Sequence, residues 1–496
     1  MPLTPKAIYK DYKSNDLDKN FSVDLLLNII DHTENIETRK ESIKMLGKIQ
    51  PNDIETYKFL EHLIISDTNE EVRAITYNVL RKNYLEKALT PISWVLEHEK
   101  SLKCQIIGVK TLQDIDNNES KSLLLEKLDK FYGREDKFNL KSVLGMKNFN
   151  KFSNKELSEI LINYFIITFL ISTFGFVKYK TDNYALITEL DLSNVESFEP
   201  KSRKLENLIE SILSLKSIKK LDLRFNRLSN IPKLINYSIE ELDLSYNKIV
   251  KLPKFNKLPG VKNLNLKSNR IRALPKSIGS LCSLENLNLR NNMLTYLPSS
   301  FNNLTCLKTL DLHGNKFDKI NVNLNKTLKQ LEIGWNNFDS FPEILATLSN
   351  LVKLGMGGNT LNEIPEWIEK FQYLKDLDLY DNKISQLPSS IGTLNSLETL
   401  NLRNNNISKL PESFKNLKSL KKLNLSWNNF KFLPDWICKL SSLEELNLWG
   451  NKLEELPESI SSLSNLKILD LHFNKFDRLP LAVQKLKQNK DLTIKF

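Results

Sequence analysis

The strongest constraint on this chain is a repeat of 21 to 23 residues that occurs twelve times in succession. Each copy follows the pattern L-x-x-L-x-L-x-x-N-x-L-x-x-L-P-x-x-I-x-x-L-x-x. A unit this short cannot bury its own leucines, so neighbouring copies must stack into a solenoid with one continuous core. The copies begin at Ile218, Ile239, Val261, Leu284, Leu307, Leu328, Leu351, Leu374, Leu397, Leu420, Leu443 and Leu466, with a degenerate copy at Ile187 and a truncated one at Asn489.

The recurring positions predict a parallel sheet along one side of the solenoid. Leucines at the fourth and sixth positions share one face of a short strand and point into the core. The asparagine at the ninth position of all twelve copies can satisfy backbone groups where the chain leaves the strand. The proline at the fifteenth position suits the first turn of a short helix. Asn321 replaces this proline in the copy at Leu307, which predicts an irregular turn over 320–327.

On these motifs, residues 187–496 resemble the intracellular leucine-rich repeat family. The L-P-x-x-I segment is similar to that of the 23-residue subclass of Ras-suppressor-like and Scribble-like proteins. The resemblance implies an α/β solenoid, a leucine-rich repeat horseshoe with a parallel concave sheet. It further implies a scaffold for signal transduction whose partner is a protein, such as a small GTPase or a signalling enzyme.

Residues 1–150 lack the leucine pattern and are predicted to form an all-α, HEAT-like domain. Within them, Glu37-Thr38-Arg39 matches Glu71-Val72-Arg73 at an offset of 34 residues, and a non-repeating helical bundle is the alternative. Helical apolar spacing covers Phe21–His32, Glu37–Ile49, Ile54–Ile65, Glu71–Tyr84, Ile92–His98, Ser101–Ile115 and Glu119–Phe131.

Residues 151–186 are predicted to form a helix-hairpin cap or linker. The stretch 160–177 carries no charge over 18 residues, which reaches the usual length of a membrane span. Gly175 divides the run, an alternating strand pattern follows it, and Asp182-Asn183 marks a turn. We therefore expect a buried capping helix and a hairpin. The alternative is a membrane-anchored, receptor-like protein.

Charge and composition constrain the partner only weakly. The net charge of +11 is the difference between 71 basic and 60 acidic residues, and four distant cysteines exclude a disulfide scaffold. The first residues, Met-Pro-Leu-Thr-Pro-Lys, form no apolar signal segment. We expect a cytoplasmic monomer with no nucleic-acid or membrane partner. The concave lysines are interleaved with the aspartates of the fifth position and form no clean basic stripe (Lys219, Lys262, Lys308, Lys375, Lys421).

Catalytic motifs are missing from the sequence. It contains no G-x-x-x-x-G-K-[ST] phosphate loop, no G-x-S-x-G elbow and no H-E-x-x-H pair. We therefore predict no enzymatic activity and no cofactor or metal. The alternative is an enzyme regulator whose activity in the helical domain the motifs do not reveal.

The concave positions carry what functional information the repeats contain. The fifth position forms an acidic and amide column, which is either a family consensus or part of a binding surface. The seventh and eighth positions gather aromatic side chains, which dominate protein-binding hot spots. We predict that glycines form a floor with aromatic walls, and the next candidate is an aromatic cluster toward the C-terminus. The alternatives are packing between neighbouring strands for the aromatics and tolerated drift for the glycines. The predicted protein-binding residues are Trp335, Gly355, Gly357, Gly358, His313, Tyr380, Arg403, Trp427, Trp449 and Phe473.

Overall fold

The structure, a computed structural model, describes residues 4–132, 148–195, 204–478, 480–486 and 492–496. It divides into two compact units, Met1–Asp191 with Leu208–Ile218, and Leu192–Asn207 with Lys219–Phe496. A helical region is followed by a repeat solenoid with a parallel sheet, which confirms the predicted fold class. The three-part division at residues 150 and 186 stays a prediction.

The helices of the first unit follow the predicted segments closely. They are α1 (Pro5–Lys13), α2 (Lys19–His32), α3 (Ile36–Ile49), α4 (Ile54–Ser66), α5 (Glu70–Asn83), α6 (Leu89–His98), α7 (Leu102–Ile115) and α8 (Asn118–Tyr132). Helix α1 was not predicted, because a short lysine-rich segment offers little helical periodicity. It is held by the side chain of Thr4, which caps its start, and by the buried Ile8.

Two buried ion pairs repeat along these helices. Arg39 of α3 pairs with Asp67, which follows α4, and Arg73 of α5 pairs with Glu99, which follows α6. The Arg73 guanidinium donates one hydrogen bond to each carboxylate oxygen of Glu99, both at 2.9 Å. The 34-residue offset seen in the sequence thus corresponds to a recurring contact between successive helical hairpins. This is consistent with HEAT-like packing.

The apolar stretch forms helix α9 (Asn154–Phe174), and a hairpin follows it. Strands β1 (Lys178–Thr181) and β2 (Ile187–Asp191) pair antiparallel, as predicted. The buried Asn163 side chain accepts a hydrogen bond from the Ile187 N–H at 2.7 Å, so this polar residue joins the helix to the hairpin. Among the described residues, α9 alone has the length and composition to cross a membrane, and 67% of its apolar stretch is buried inside the protein.

The repeat strands pair in sequence order and in parallel. Leucines at the fourth and sixth positions are buried along the array, whereas side chains of the intervening position face the concave side. Helix α10 (Lys204–Ile212) precedes the strands and α11 (Leu481–Leu486) lies before the last one. The strands are β3 (Lys220–Asp222), β4 (Glu241–Asp243), β5 (Asn263–Asn265), β6 (Asn286–Asn288), β7 (Thr309–Asp311), β8 (Gln330–Glu332), β9 (Lys353–Gly355), β10 (Asp376–Asp378), β11 (Thr399–Asn401), β12 (Lys422–Asn424), β13 (Glu445–Asn447), β14 (Ile468–Asp470) and β15 (Thr493–Lys495).

The ninth-position asparagines form the predicted ladder. The Asn382 amide donates to the carbonyls of Met356, in the preceding repeat, and Leu379, in its own, at 3.1 and 3.0 Å. Its oxygen accepts from the Leu361 N–H at 3.0 Å. One side chain therefore links the backbones of two adjacent repeats.

The convex side departs from the prediction in one detail. In eight repeats the convex proline stands just before a 3-10 turn in extended conformation, as Pro388 does before Ser389–Thr393, and not inside the first turn. Its carbonyl accepts the first hydrogen bond of that turn, from Ile391. The predicted irregular turn over 320–327 is confirmed, since no helical turn forms there. The Asn321 amide instead bonds the backbone N–H and C=O of Leu297, at 3.1 and 2.9 Å.

The C-terminal copy begins two residues later than predicted. Strand β15 pairs with β14 so that Ile494 lies opposite Leu469, a fourth-position leucine. A copy starting at Asn489 would place Leu492 there. Pairing with the preceding strand, not the local sequence, sets the register at this end.

Candidate functional site

The eighth position of every repeat adopts a left-handed backbone conformation. All twelve of these residues have φ between 49° and 70°. Glycine, asparagine and aspartate tolerate this conformation, but for a bulky residue it is a strained exception. Five repeats nevertheless carry an aromatic residue there, and each is exposed: Phe225 (49%), Tyr246 (39%), Trp335 (54%), Trp427 (46%) and Phe473 (77%).

The fifth-position column has a structural role in ten of the twelve repeats. Its aspartate or asparagine accepts a hydrogen bond from the N–H two residues later, at 2.8 to 3.3 Å. This bond caps the end of each strand, because the short polar side chain closes a turn on its own backbone. The consensus interpretation of the column therefore applies to most of the concave face.

Two adjacent repeats break this column. Among the described fifth-position residues, only Glu332 and Gly355 lack the capping bond. The longer Glu332 side chain extends over Gly355, where an ideal Cβ would lie 1.8 Å from its Oε2 atom. The carboxylate pairs with Lys353 at 3.0 Å. The missing side chain at Gly355 is what makes room for Glu332.

Aromatic rings lie over the neighbouring glycines in the same way. An ideal Cβ on Gly357 would lie 2.2 Å from the Tyr380 ring, and one on Gly358 would lie 2.8 Å from the Trp335 ring. The Trp335 Nε1–H donates to the Tyr380 hydroxyl at 2.6 Å. The glycines are thus not the open floor that the sequence suggested, because the chain's own rings cover them. We call Gly334, Gly355, Gly357 and Gly358, with the side chains that cover them, the glycine patch.

Burial sets the protonation behaviour of the groups around this patch. It raises the pKa of the Asp378 carboxyl to about 6 and raises that of Glu332, in both cases against a smaller opposing effect of hydrogen bonds. It likewise raises the pKa of Asp311. His313, which lies over Gly334, has its pKa lowered to about 4 by burial and by nearby Arg290, so it is neutral at pH 7.

The remaining predicted residues lie farther along the concave face. Trp427 and Trp449 pack edge to face with ring centroids 5.3 Å apart, and Phe473 lies 6.0 Å beyond Trp449. The buried Trp449 Nε1–H has no hydrogen-bond partner among the described residues. Arg403 is exposed on the repeat between Tyr380 and Trp427. The predicted site is therefore two separate aromatic groups.

Sequence reasoning did not single out Glu332, Lys353 and Asp378. Asp378 did not stand out, because most fifth-position residues are aspartate or asparagine. The available signal was Glu332 itself, the one glutamate in that column, next to Gly355, its one glycine. Among the described residues, no three His, Cys, Asp or Glu side chains are grouped so as to hold a metal ion.

Comparisons with known proteins agree with this geometry. Leucine-rich repeat profiles match residues 259–317, 359–452 and 441–483. A leucine-rich repeat protein of Leptospira interrogans is 29% identical over 65% of this chain and 94% of its own, with a TM-score of 0.54.

An internalin of Listeria monocytogenes shares the fold at 22% identity, over 72% of this chain and 92% of its own, with a TM-score of 0.51. A search of curated proteins found no match. The profile matches, the twelve repeats and the parallel sheet together identify the repeat region of this chain as a leucine-rich repeat solenoid.

Proposed function

We propose that this protein is a non-enzymatic scaffold that binds another protein on the concave face of its repeats. Leucine-rich repeat proteins generally mediate protein–protein interaction, which supports the class of partner. The regular 23-residue spacing supports the Ras-suppressor-like subclass, and with it a cytoplasmic role in signalling with a small GTPase or a signalling enzyme as partner.

The observation that carries the proposal is the exposed aromatic residues in left-handed backbone positions. Six repeats place Asn, Gly or Asp at this position and one places Ser, so the fold does not require a ring there. An L-residue in this conformation costs about 1–2 kcal/mol. The five aromatics remain 39 to 77% exposed, so much of the ring surface that could offset this cost still faces solvent. Large exposed rings in a strained backbone position are expected where a partner covers them.

The charge pattern of the face argues against nucleic acid. The second-position lysines pair with glutamates of neighbouring repeats, as Lys262 does with Glu240 and Lys308 with Glu285, both at 2.8 Å. Glu398 lies between Lys375 and Lys421, at 2.9 and 2.7 Å. A phosphate backbone would have to displace these partners, so the lysines do not form a free basic surface.

Replacing the strained aromatics with asparagine tests the proposal. Asparagine already occupies this position in other repeats, so the variant keeps the backbone geometry. The concave variant replaces Phe225, Tyr246, Trp335, Trp427 and Phe473. A control variant replaces five apolar residues of similar exposure outside the strands, namely Ile235, Tyr237, Tyr296, Tyr373 and Phe432.

Both full-length variants and the wild type are used for affinity purification, with captured proteins quantified by mass spectrometry. We expect the concave variant to lose partners that the control variant retains at wild-type levels. Thermal unfolding verifies that both are folded. Retention of the same partners by the concave variant would exclude the concave face as the binding surface.

A further inference from the structure

In the glycine patch, glycines occupy positions that carry side chains in the other repeats of the concave face. Gly355 stands at a fifth position, and Gly334 and Gly357 stand at seventh positions. Four of the chain's 14 glycines lie in this patch, on two adjacent repeats. The glycine backbone itself is covered, so a partner would contact the side chains that lie over it, Glu332, Trp335 and Tyr380.

The carboxylates around the patch outnumber their cations. Asp311, Glu332, Asp376 and Asp378 are neighbours, and Lys353 pairs with two of them, Glu332 at 3.0 Å and Asp376 at 3.6 Å. Asp311 and Asp378 form no salt bridge among the described residues and receive only backbone N–H donors, from His313 and Tyr380. Arg290 and Lys267 lie near Asp311, so the excess negative charge is at Glu332, Asp376 and Asp378, three carboxylates that share Lys353.

An exposed indole stands beside this charge. The five-membered ring of Trp335 rests against Gly358 and its Nε1–H is bonded to Tyr380, so the side chain is held in place while 54% of the residue remains exposed. A fixed, exposed indole attracts cations through its ring face. The combination of a held aromatic ring and carboxylates in excess of their neighbouring ammonium complements a positive, partly apolar side chain.

We infer that the glycine patch receives an arginine or lysine side chain of the bound protein, with its stem against Trp335 and its charge toward Glu332 and Asp378. This inference rests on the proposed function and adds the chemistry of one contact. The second aromatic group gives a contrast within the same chain. The fifth-position residues in the repeats of Trp427 and Trp449 are the neutral Asn424 and Asn447, and Asp470 of the next repeat is bonded to His472, so this group carries fewer carboxylates than the glycine patch.

Paired charge-neutral variants provide the matched comparison. Glu332→Gln with Asp378→Asn removes two carboxylates from the patch. Asp222→Asn with Asp243→Asn removes two from the same column, several repeats away. Asparagine keeps the strand-capping bond, because five of the ten capped repeats already use it.

The probes are capped Gly-Arg-Gly and Gly-Lys-Gly peptides, with Gly-Gln-Gly as the neutral control. The full-length chain is labelled with 5-fluorotryptophan, and the Trp335 fluorine signal is assigned by its loss in Trp335→Phe. We expect the cationic peptides to shift the Trp335 signal and the glutamine peptide to leave it in place. The patch variant should weaken this binding about tenfold or more, and the distant variant by less than about twofold.

An unmoved Trp335 signal, an equal shift by the glutamine peptide, or an equal loss in both variants would overturn the inference. These outcomes are separate from failure of the proposed function, which the asparagine variants and captured proteins report. If captured partners depend on the concave aromatics but the cationic peptides leave Trp335 unmoved, the scaffold proposal stands and the cation site is wrong.

Discussion

Replacing Asn382 with leucine should destabilise the central repeats by about 3 kcal/mol. The Met356 and Leu379 carbonyls each keep a second donor, from Asn359 and Asn405 at 2.9 and 3.0 Å. The Leu361 N–H keeps none, because its bond at 3.0 Å goes to Asn382 alone. An orphaned buried N–H costs about 1–3 kcal/mol, and the weakened carbonyl bonds add about 1 kcal/mol.

The matched control is Asn474→Leu, near the end of the array. Asn474 bonds the Leu448 and Leu471 carbonyls and the Leu453 N–H in the same geometry, at 3.0, 2.9 and 3.1 Å. It is only half-buried, so water can replace the lost partners and the cost should stay below about 1 kcal/mol.

Urea unfolding of both full-length variants measures the difference, and hydrogen exchange of the peptide containing Leu361 localises it. We expect faster exchange there in Asn382→Leu alone. Equal unfolding midpoints for wild type and Asn382→Leu would refute the ladder argument. Equal losses in both variants would show that burial does not control the cost.

Two further substitutions test the concave face. Asp378→Asn should stabilise the protein by about 1 kcal/mol at pH 7, because burial raises the folded pKa from 3.8 to about 6 and ionisation of this carboxyl therefore opposes folding. The gain in melting temperature should be full above pH 6 and vanish below about pH 4, and a gain independent of pH would contradict it. Phe473→Asn should raise the free energy of unfolding by about 1 kcal/mol by relieving left-handed strain on a residue that is 77% exposed. A lower urea midpoint would mean that its contact with Trp449 outweighs the strain.

Much of the fold is predictable because each repeat makes the same local contacts. The leucines at the fourth and sixth positions and the asparagine at the ninth act on their own or the next copy, so their roles follow from the pattern alone. The helices of the first unit follow from apolar spacing for the same reason. Helix α1 was not predicted, because it depends on one capping side chain and one buried residue. The register of β15 was not predicted either, because pairing with the preceding strand sets it and not the local sequence.

The candidate site depends on contacts between different copies, and for that reason the sequence indicates it only in part. Composition points to Trp335, Tyr380 and the glycines as unusual. Glu332 fills the space above Gly355, and Tyr380 covers Gly357. Both placements depend on a neighbouring strand whose residue has no Cβ and therefore leaves room for the side chain. The left-handed backbone of the eighth position is likewise not predictable from the sequence, because residues as different as Trp335 and Asn404 occupy it. The sequence by itself determines the backbone of the repeats, because every copy makes the same local contacts. The tertiary structure decides the shape of the concave surface, because each irregular residue packs against side chains of adjacent strands.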